Sequence, residues 1–338
     1  MTRRWQTKEM VGTLSMLDLA RVRRGTSIVD GLNSCVESAQ LAEQCGYSRV
    51  WYAEHHNLPT VASSSPAVLI AHVAAHTSTI KLGAGGVMLP NHAPLVIAEQ
   101  YGTLATLHPG RIELGLGRAP GSDQVTLRAM RRDHTSSDTF PSDVAELRDL
   151  LDGVDRSDGV AAIPGAGTCV PLYILGSSLF GAQLAAALGL PYAFASHFSP
   201  GALIEAVKEY RRSFVPSERL AEPHVIAAAN VFCSESSDDA LKQFHAAARE
   251  RVALIVPKGV EYTDEQADQV LAMPQGQNLL QMMQYSAVGT PPEVAAYLDE
   301  FLAHSGADEL IVSHSTPFVE ERMTSIRLTA DIVDRVGV

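Results

Sequence analysis

The chain has few cysteines, no long apolar run and no surplus of positive charge, and each absence removes a class of protein. Its four cysteines, Cys35, Cys45, Cys169 and Cys233, form no C-x-x-C pair. That pattern offers no disulfide framework and predicts reduced, mostly buried thiols in a cytoplasmic protein. No apolar stretch is long enough to cross a bilayer. Arg3 and Arg4 are not followed by the apolar core of a signal peptide, so export is not expected. Against 26 Lys and Arg stand 38 Asp and Glu, a formal net charge of -12. A nucleic-acid surface needs a concentrated basic face, which this balance argues against. The short basic clusters Arg21–Arg24 and Arg128–Arg132 are expected to be solvated helix or loop faces. Nucleophile elbow, Walker loop, zinc-protease helix and short internal repeat are all missing as well.

What is present is a steady alternation of strand-like and helix-like segments. Strands are predicted at Val11–Leu19, Arg49–Glu54, Ile80–Met88, Ile112–Gly117, Leu172–Leu175, Tyr192–Ser196, Val225–Phe232 and Glu309–Ser313. Each has a helical partner, and no shift in composition divides the 338 residues. The pattern predicts an α/β fold, a (β/α)8 TIM barrel with insertions, as one domain over residues 1–338. A doubly wound open sheet is the alternative. The helix Pro66–His76 is apolar nearly all round, which predicts a second face packed on another subunit, as in a homodimer. The stretch Lys258–Tyr285, after strand seven and its helix, is either a mobile lid or a plain surface excursion.

Four strand ends carry candidate chemistry. The fourth reads L-G-L-G-R-A-P-G-S-D, Leu114 to Asp123. With period two, Ile112, Leu114 and Leu116 share one face, while Glu113, Gly115 and Gly117 share the other. A strand bulky on one side and bare on the other leaves room for something flat, and Arg118 at its tip suits an anion. The third strand ends in G-A-G-G (Gly83–Gly86), where clustered glycines mark a bend or a flat ligand on the backbone. The fifth ends in L-G-S-S and enters a helix, so Ser177 and Ser178 are either an anion site or a simple N-cap. In a barrel the tips of strands four and five are adjacent, and Arg118 and Ser177 then grip one phosphate. The second strand ends in A-E-H-H-N. His55, on the same face as Ala53, is placed inward. Adjacent histidines lack the same-face spacing of a metal helix, so no metal site is assigned. A dinucleotide fingerprint fits G-L-G-R-A-P-G poorly, because its third glycine is late and Pro120 interrupts the turn.

A-E-H-H, G-G-V-M-L-P-N-H-A-P, P-G-R-I-E-L-G-L-G-R-A-P-G and L-G-S-S occur in that order, with V-G-T-P-P-E-V (Val288–Val294) before the last unit. Together they resemble the bacterial luciferase-like flavin monooxygenases, in particular single-chain members, some of which tailor polyketides and other secondary metabolites. The resemblance implies FMN at the C-terminal face, its phosphate near Arg118, Ser177 and Ser178. It places the isoalloxazine against Gly85 and Gly86, where relatives often carry a non-prolyl cis peptide. It implies an acid–base role for His55, and a mobile loop at Lys258–Tyr285. FMNH2 and O2 then form a flavin C4a-peroxide that oxygenates a small organic substrate, with the FMNH2 drawn from a separate NAD(P)H:flavin reductase. Two positions depart from the true luciferases: their reactive cysteine is Gly117 here, and the acidic residue before the strand-five serine is Gly176. Light emission is therefore not expected. A deazaflavin (F420)-dependent dehydrogenase and a non-catalytic flavin-binding protein are the alternatives on the same barrel.

Overall fold

In a computed structural model of the chain, the described residues are 14–23, 25–119, 123–155, 157–257 and 260–334. Nine strands form: β1 (Leu14–Asp18), β2 (Arg49–Tyr52), β3 (Lys81–Met88), β4 (Ile112–Gly117), β5 (Leu172–Gly176), β6 (Tyr192–Phe194), β7 (Val225–Cys233), β8 (Ser286–Gly289) and β9 (Glu309–His314). Eight of them close into a parallel barrel in the order β1-β2-β3-β4-β5-β6-β7-β9, and β9 returns to β1. These eight are the strands expected from the sequence. The extra one, β8, pairs with Asn230–Cys233 of β7, beyond the point where β6 leaves that edge at Ala227. The barrel is thus the expected α/β TIM fold with one short strand added at its rim.

The helices are α1 (Ile28–Gln44), α2 (Pro66–Ala74), α3 (Pro94–Leu107), α4 (Gln124–Ala129), α5 (Phe140–Asp152), α6 (Leu179–Leu188), α7 (Leu203–Ser213), α8 (Ser237–Glu250), α9 (Asp264–Ala272), α10 (Pro274–Met282), α11 (Pro291–Ser305) and α12 (Val319–Asp334). Local sequence explains their limits. Ser27 and Asp30 close a capping box at the start of α1, Thr290 and Glu293 do so at α11, and proline opens α2, α3 and α11. Gly153 and Gly306 end α5 and α11 in the left-handed conformation. No helix among the described residues is long and apolar enough to cross a membrane.

Period-two alternation sorts the strand side chains. Ile112, Leu114 and Leu116 join the large core between barrel and helices, where Met16, Val50, Tyr52, Leu82, Ile174 and Val312 also lie. A smaller cluster with Leu17, Trp51, Tyr173, Ile226 and Ile311 fills the lumen. Below it a polar network closes the N-terminal end. Arg49 donates to Glu113 at 3.1 Å, to Glu309 at 3.2 Å and to the Tyr173 hydroxyl at 2.9 Å, and Trp51 Nε1 donates to Glu113 at 3.0 Å. Such a buried network serves stability, since chemistry in this fold sits at the opposite face.

Three expectations are refined. The helix predicted at Pro66–His76 ends at Ala74, and it leaves Val68, Ala71 and His72 outward while Leu69, Ile70 and Val73 are buried. Within Lys258–Tyr285, Lys258 and Gly259 lie outside the described residues. The remainder is a pair of helices, α9 and α10, whose Ala267, Leu271 and Leu279 pack with Phe232, Ala248 and Val252. Cys35 and Cys233 are buried and Cys45 is half-buried, but Cys169 is exposed.

Candidate active site

The C-terminal ends of the strands gather the singled-out residues on one face. β4 and β5 run in parallel with Gly117 opposite Leu175, so Arg118 and Ser177 leave neighbouring strands side by side. The Arg118 guanidinium carbon lies 4.0 Å from the ring centroid of Phe180, a residue in the first turn of α6. That cation–π contact holds the guanidinium over the start of the helix. Ser178 occupies the N-cap position, yet its side chain makes no capping hydrogen bond. Its carbonyl instead accepts from the Tyr192 hydroxyl at 3.0 Å. Ser177 is half-buried, and Ser178 and Arg118 are exposed. A guanidinium, an uncommitted hydroxyl and the free N–H groups of a ten-residue helix therefore meet at one corner, which is the make-up of an oxyanion site. Pro120 to Ser122, the end of the strand-four motif, lie outside the described residues.

The glycines behave differently from the expectation that they leave open space. Gly85 and Gly86 are joined by a cis peptide bond. A Cβ on Gly85 would stand 2.9 Å from Trp51 Cβ, and one on Gly86 would stand 2.7 Å from the Gly115 carbonyl oxygen. On Gly115 it would meet Ala84 O at 2.4 Å and Leu175 Cδ1 at 2.5 Å, and on Gly117 it would meet Met88 Sδ at 3.0 Å. The volume freed by these residues is taken by close approach of β2, β3, β4 and β5 to one another. A ligand over this region would meet peptide edges, not vacated side-chain space.

Past β2 the structure brings together a group that sequence reasoning did not assemble. Glu54 is fully buried, and its Oε1 accepts from His56 Nε2 and from His92 Nε2, each at 2.8 Å. Its Oε2 accepts the Met88 amide at 3.0 Å. Burial alone would raise this carboxyl, but the two imidazoles and the amide outweigh it and hold the group down at about 2. Glu54 thereby ties the tips of β2 and β3 together, next to the cis peptide. The only signal in the sequence was the acid beside paired histidines, because His92 lies 38 residues further on.

His55 differs from its neighbour. Its amide donates to Ser63 O at 2.9 Å, and its ring Nδ1 is buried without a hydrogen-bond partner. Burial lowers its pKa, against the opposing pull of Glu54. His197, three residues past β6 and not singled out in the sequence, also has a buried, unpartnered Nδ1. Among the described residues no group of three or more His, Cys, Asp or Glu is placed to hold a metal ion.

The first basic cluster is not a solvated face. Arg23 is 5% exposed and donates through Nε to Thr316 O at 3.2 Å. The Arg21 side chain is only a quarter exposed, with its Nε buried and Glu250 3.9 Å from Nη1. Both residues follow β1, where the chain forms an antiparallel bridge between Arg21 and Val61. Arg24 lies outside the described residues, and Arg128 is exposed as expected.

A family model described as luciferase-like monooxygenase matches residues 13–309. The chain belongs to that family. A luciferase-like monooxygenase of Escherichia coli (strain K12) is 43% identical over 328 residues, covering 95% of this chain and 97% of that protein. N-acetyl-S-alkylcysteine monooxygenase of Bacillus subtilis is 32% identical over 332 residues, covering 95% and 98%. Among solved structures, apo-MsnO8 superposes with a TM-score of 0.86 at 33% identity, over 96% of this chain and 98% of that one. Two solved chains at 15% identity share the architecture. The oxygenating constituent of 3,6-diketocamphane monooxygenase of Pseudomonas putida, in complex with FMN, has a TM-score of 0.71 and covers 96% and 98%. An F420-dependent secondary alcohol dehydrogenase has a TM-score of 0.70 and covers 95% and 99%. Family membership makes this chain an oxidoreductase of the monooxygenase type.

Proposed function

We propose that the protein is an FMNH2-dependent monooxygenase acting on a small organic substrate with O2. The observation that carries this reading is the corner where Arg118, held on Phe180, meets the uncapped Ser178 at the start of α6. There a phosphate is matched by charge, by a hydroxyl and by helix N–H groups, and these residues together with Ser177 fit the phosphate of FMN. Gly85, Gly86 and Gly117 would line the ring system of the flavin. Bound as FMNH2, the flavin supplies the electrons with which O2 is activated to deliver one oxygen atom.

The remaining chemistry falls to the chain's own residues. His55 is buried and kept neutral near pH 7, so its Nδ1 is suited to receive a proton beside the flavin and return it later. Glu54 does not take part in that exchange. It stays ionised and fixes His56, His92 and the Met88 amide, which keeps the β2 and β3 tips in register. The apolar lumen of Leu17, Trp51 and Ile311 beneath the site excludes water from one side. We assign α9 and α10 the role of a cover that closes the other side. A separate NAD(P)H:flavin reductase as source of FMNH2, and a homodimer formed through the outward face of α2, belong to the same reading.

Titration of the purified protein with FMN, FMNH2 and a deazaflavin tests it. Binding of FMNH2, with substrate oxygenation that requires O2, is the expected result. Failure of both FMN forms to bind refutes the reading, and hydride transfer with the deazaflavin alone replaces it by a dehydrogenase.

A further inference from the structure

The reading above leaves without a task a cavity of about 380 Å³. Val22, Thr60 and Phe318, which line it, come shortly after the C-terminal ends of β1, β2 and β9. Ala246 of α8, Ala253 and Tyr262 complete its walls. In the ring β9, β1 and β2 are consecutive, whereas Arg118 and Ser177 follow β4 and β5. The cavity therefore belongs to the same face of the barrel as the phosphate corner, but to its far side. Its walls are tied before anything binds. Arg21 bridges to Val61, the Val22 amide donates to Thr60 O at 2.9 Å, and the Arg322 amide donates to Phe318 O at 3.1 Å. The Tyr262 hydroxyl donates to Arg249 O at 3.4 Å. A preformed space of this size suits a small molecule, for which about 300–1,000 Å³ is usual.

Charges of both signs stand in the lining and answer one another. Asp268 holds Arg249 in a fork, with both bonds at 2.7 Å, and Asp264 lies 3.4 Å from the same guanidinium. Glu250 is 3.9 Å from Arg21. Arg23 is 5% exposed, and its Nε is committed to Thr316 O. Glu250, Asp264 and Asp268 thus match Arg21, Arg23 and Arg249 in number. An ion of either sign would give up its hydration here without gaining a partner that is not already engaged, and an uncharged ligand carries no such cost. The remaining walls are apolar: Val22, Ala246, Ala253 and Pro317, with the rings of Tyr262 and Phe318. Phe318 is 56% exposed, a large ring that the chain itself leaves uncovered. Aromatic rings and guanidinium planes in one wall favour a flat π system over a saturated one.

We propose that this cavity binds an uncharged aromatic group against Tyr262 and Phe318, and that the organic substrate carries such a group. Thr60 and His55 stand in the same segment between β2 and α2, so a substrate anchored here is anchored on the His55 side of the barrel face. The word substrate rests on the monooxygenase reading, but the preference of the cavity does not need a flavin.

Calorimetric titration tests the proposal on the flavin-free and the FMN-loaded protein. The probes share one skeleton: uncharged 2-naphthol, the anion 2-naphthoate, the cation 2-naphthylmethylammonium and the saturated alcohol 2-decalol. Uncompensated desolvation of the ions predicts that 2-naphthol binds about tenfold or more tightly than either of them. It should also bind more tightly than 2-decalol. Ala246→Trp and Ala253→Trp fill the cavity and should abolish 2-naphthol binding, and Phe318→Ala should weaken it. Should Ala246→Trp fail to fold, Ala253→Trp, at an exposed position of the 3-10 turn after α8, carries the same comparison. Absence of 2-naphthol binding, equal or tighter binding of an ion or of 2-decalol, or binding that survives the Trp variants overturns the proposal. So does displacement of 2-naphthol by FMN, which would place the probe in the flavin site. Failure of FMN to bind while the preference for 2-naphthol stands would strike the flavin reading alone.

Discussion

Replacing Glu54 by Gln removes one charge from a group whose partners are all defined, and its cost can be worked out in advance. The carboxylate is fully buried and accepts three hydrogen bonds, two from His56 and His92 and one from the Met88 amide. An amide of the same shape cannot accept at both ends, so one NH2 is turned either against two imidazole N–H groups or against a backbone N–H. The carboxyl is held at about 2 where its ordinary value is 4.5. At about 1.4 kcal/mol per pH unit, that difference corresponds to about 3.5 kcal/mol of folding stability at neutral pH. The sign follows from the direction: a depressed pKa contributes fully above the unfolded value and fades as pH falls toward the folded one. Urea unfolding of wild type and Glu54→Gln at pH 7, 5 and 3 reads both quantities. The gap should be about 3.5 kcal/mol at pH 7, about 3 kcal/mol at pH 5 and about 1.5 kcal/mol at pH 3. A gap under about 1 kcal/mol at pH 7, or one that does not move between pH 5 and 3, would show that the ionised carboxylate does not hold the two strand tips.

Two other perturbations bear on the scaffold. Gly115→Ala places a Cβ 2.4 Å from Ala84 O, a backbone atom that cannot swing aside, and should cost about 1–3 kcal/mol in urea unfolding; an unchanged midpoint would mean that β3 and β4 separate freely. Arg49→Met removes the guanidinium shared by Glu113 and Glu309, leaving Glu113 only Lys81 at 3.5 Å as a cation, and should cost about 2–4 kcal/mol. Adding Glu113→Gln and Glu309→Gln to that variant should restore part of the loss, whereas no recovery would argue against an electrostatic origin.

The barrel was legible because its eight strands are apolar runs punctuated by glycine and proline, and their helices carry caps and proline starts. β8 was not, since S-A-V-G is too short and too small to stand out between helical stretches. Arg118 and Ser177 could be paired from the sequence because parallel neighbours in a barrel share a face. Glu54 and His92 could not, because only the β2–β3 adjacency brings together residues 38 positions apart. Arg21 and Arg23 were misjudged for a related reason: composition shows four adjacent positions with three arginines but not that the loop after β1 buries Arg23 against Thr316 and pairs Arg21 with Glu250. The strand-four glycines were recognised as special, yet their purpose includes the tight contact of Gly115 with Ala84 and Leu175, which only the folded chain displays.

The account turns on whether the corner of Arg118, Ser177 and Ser178 holds a flavin phosphate. Fluorescence titration of wild type and Arg118→Ala with FMN and with riboflavin, which lacks the phosphate, addresses it directly. The wild type should prefer FMN, and Arg118→Ala should weaken FMN by about 2 kcal/mol, roughly 30-fold, while leaving riboflavin unchanged. Equal affinity of the wild type for the two flavins, or an FMN affinity indifferent to Arg118, would contradict it.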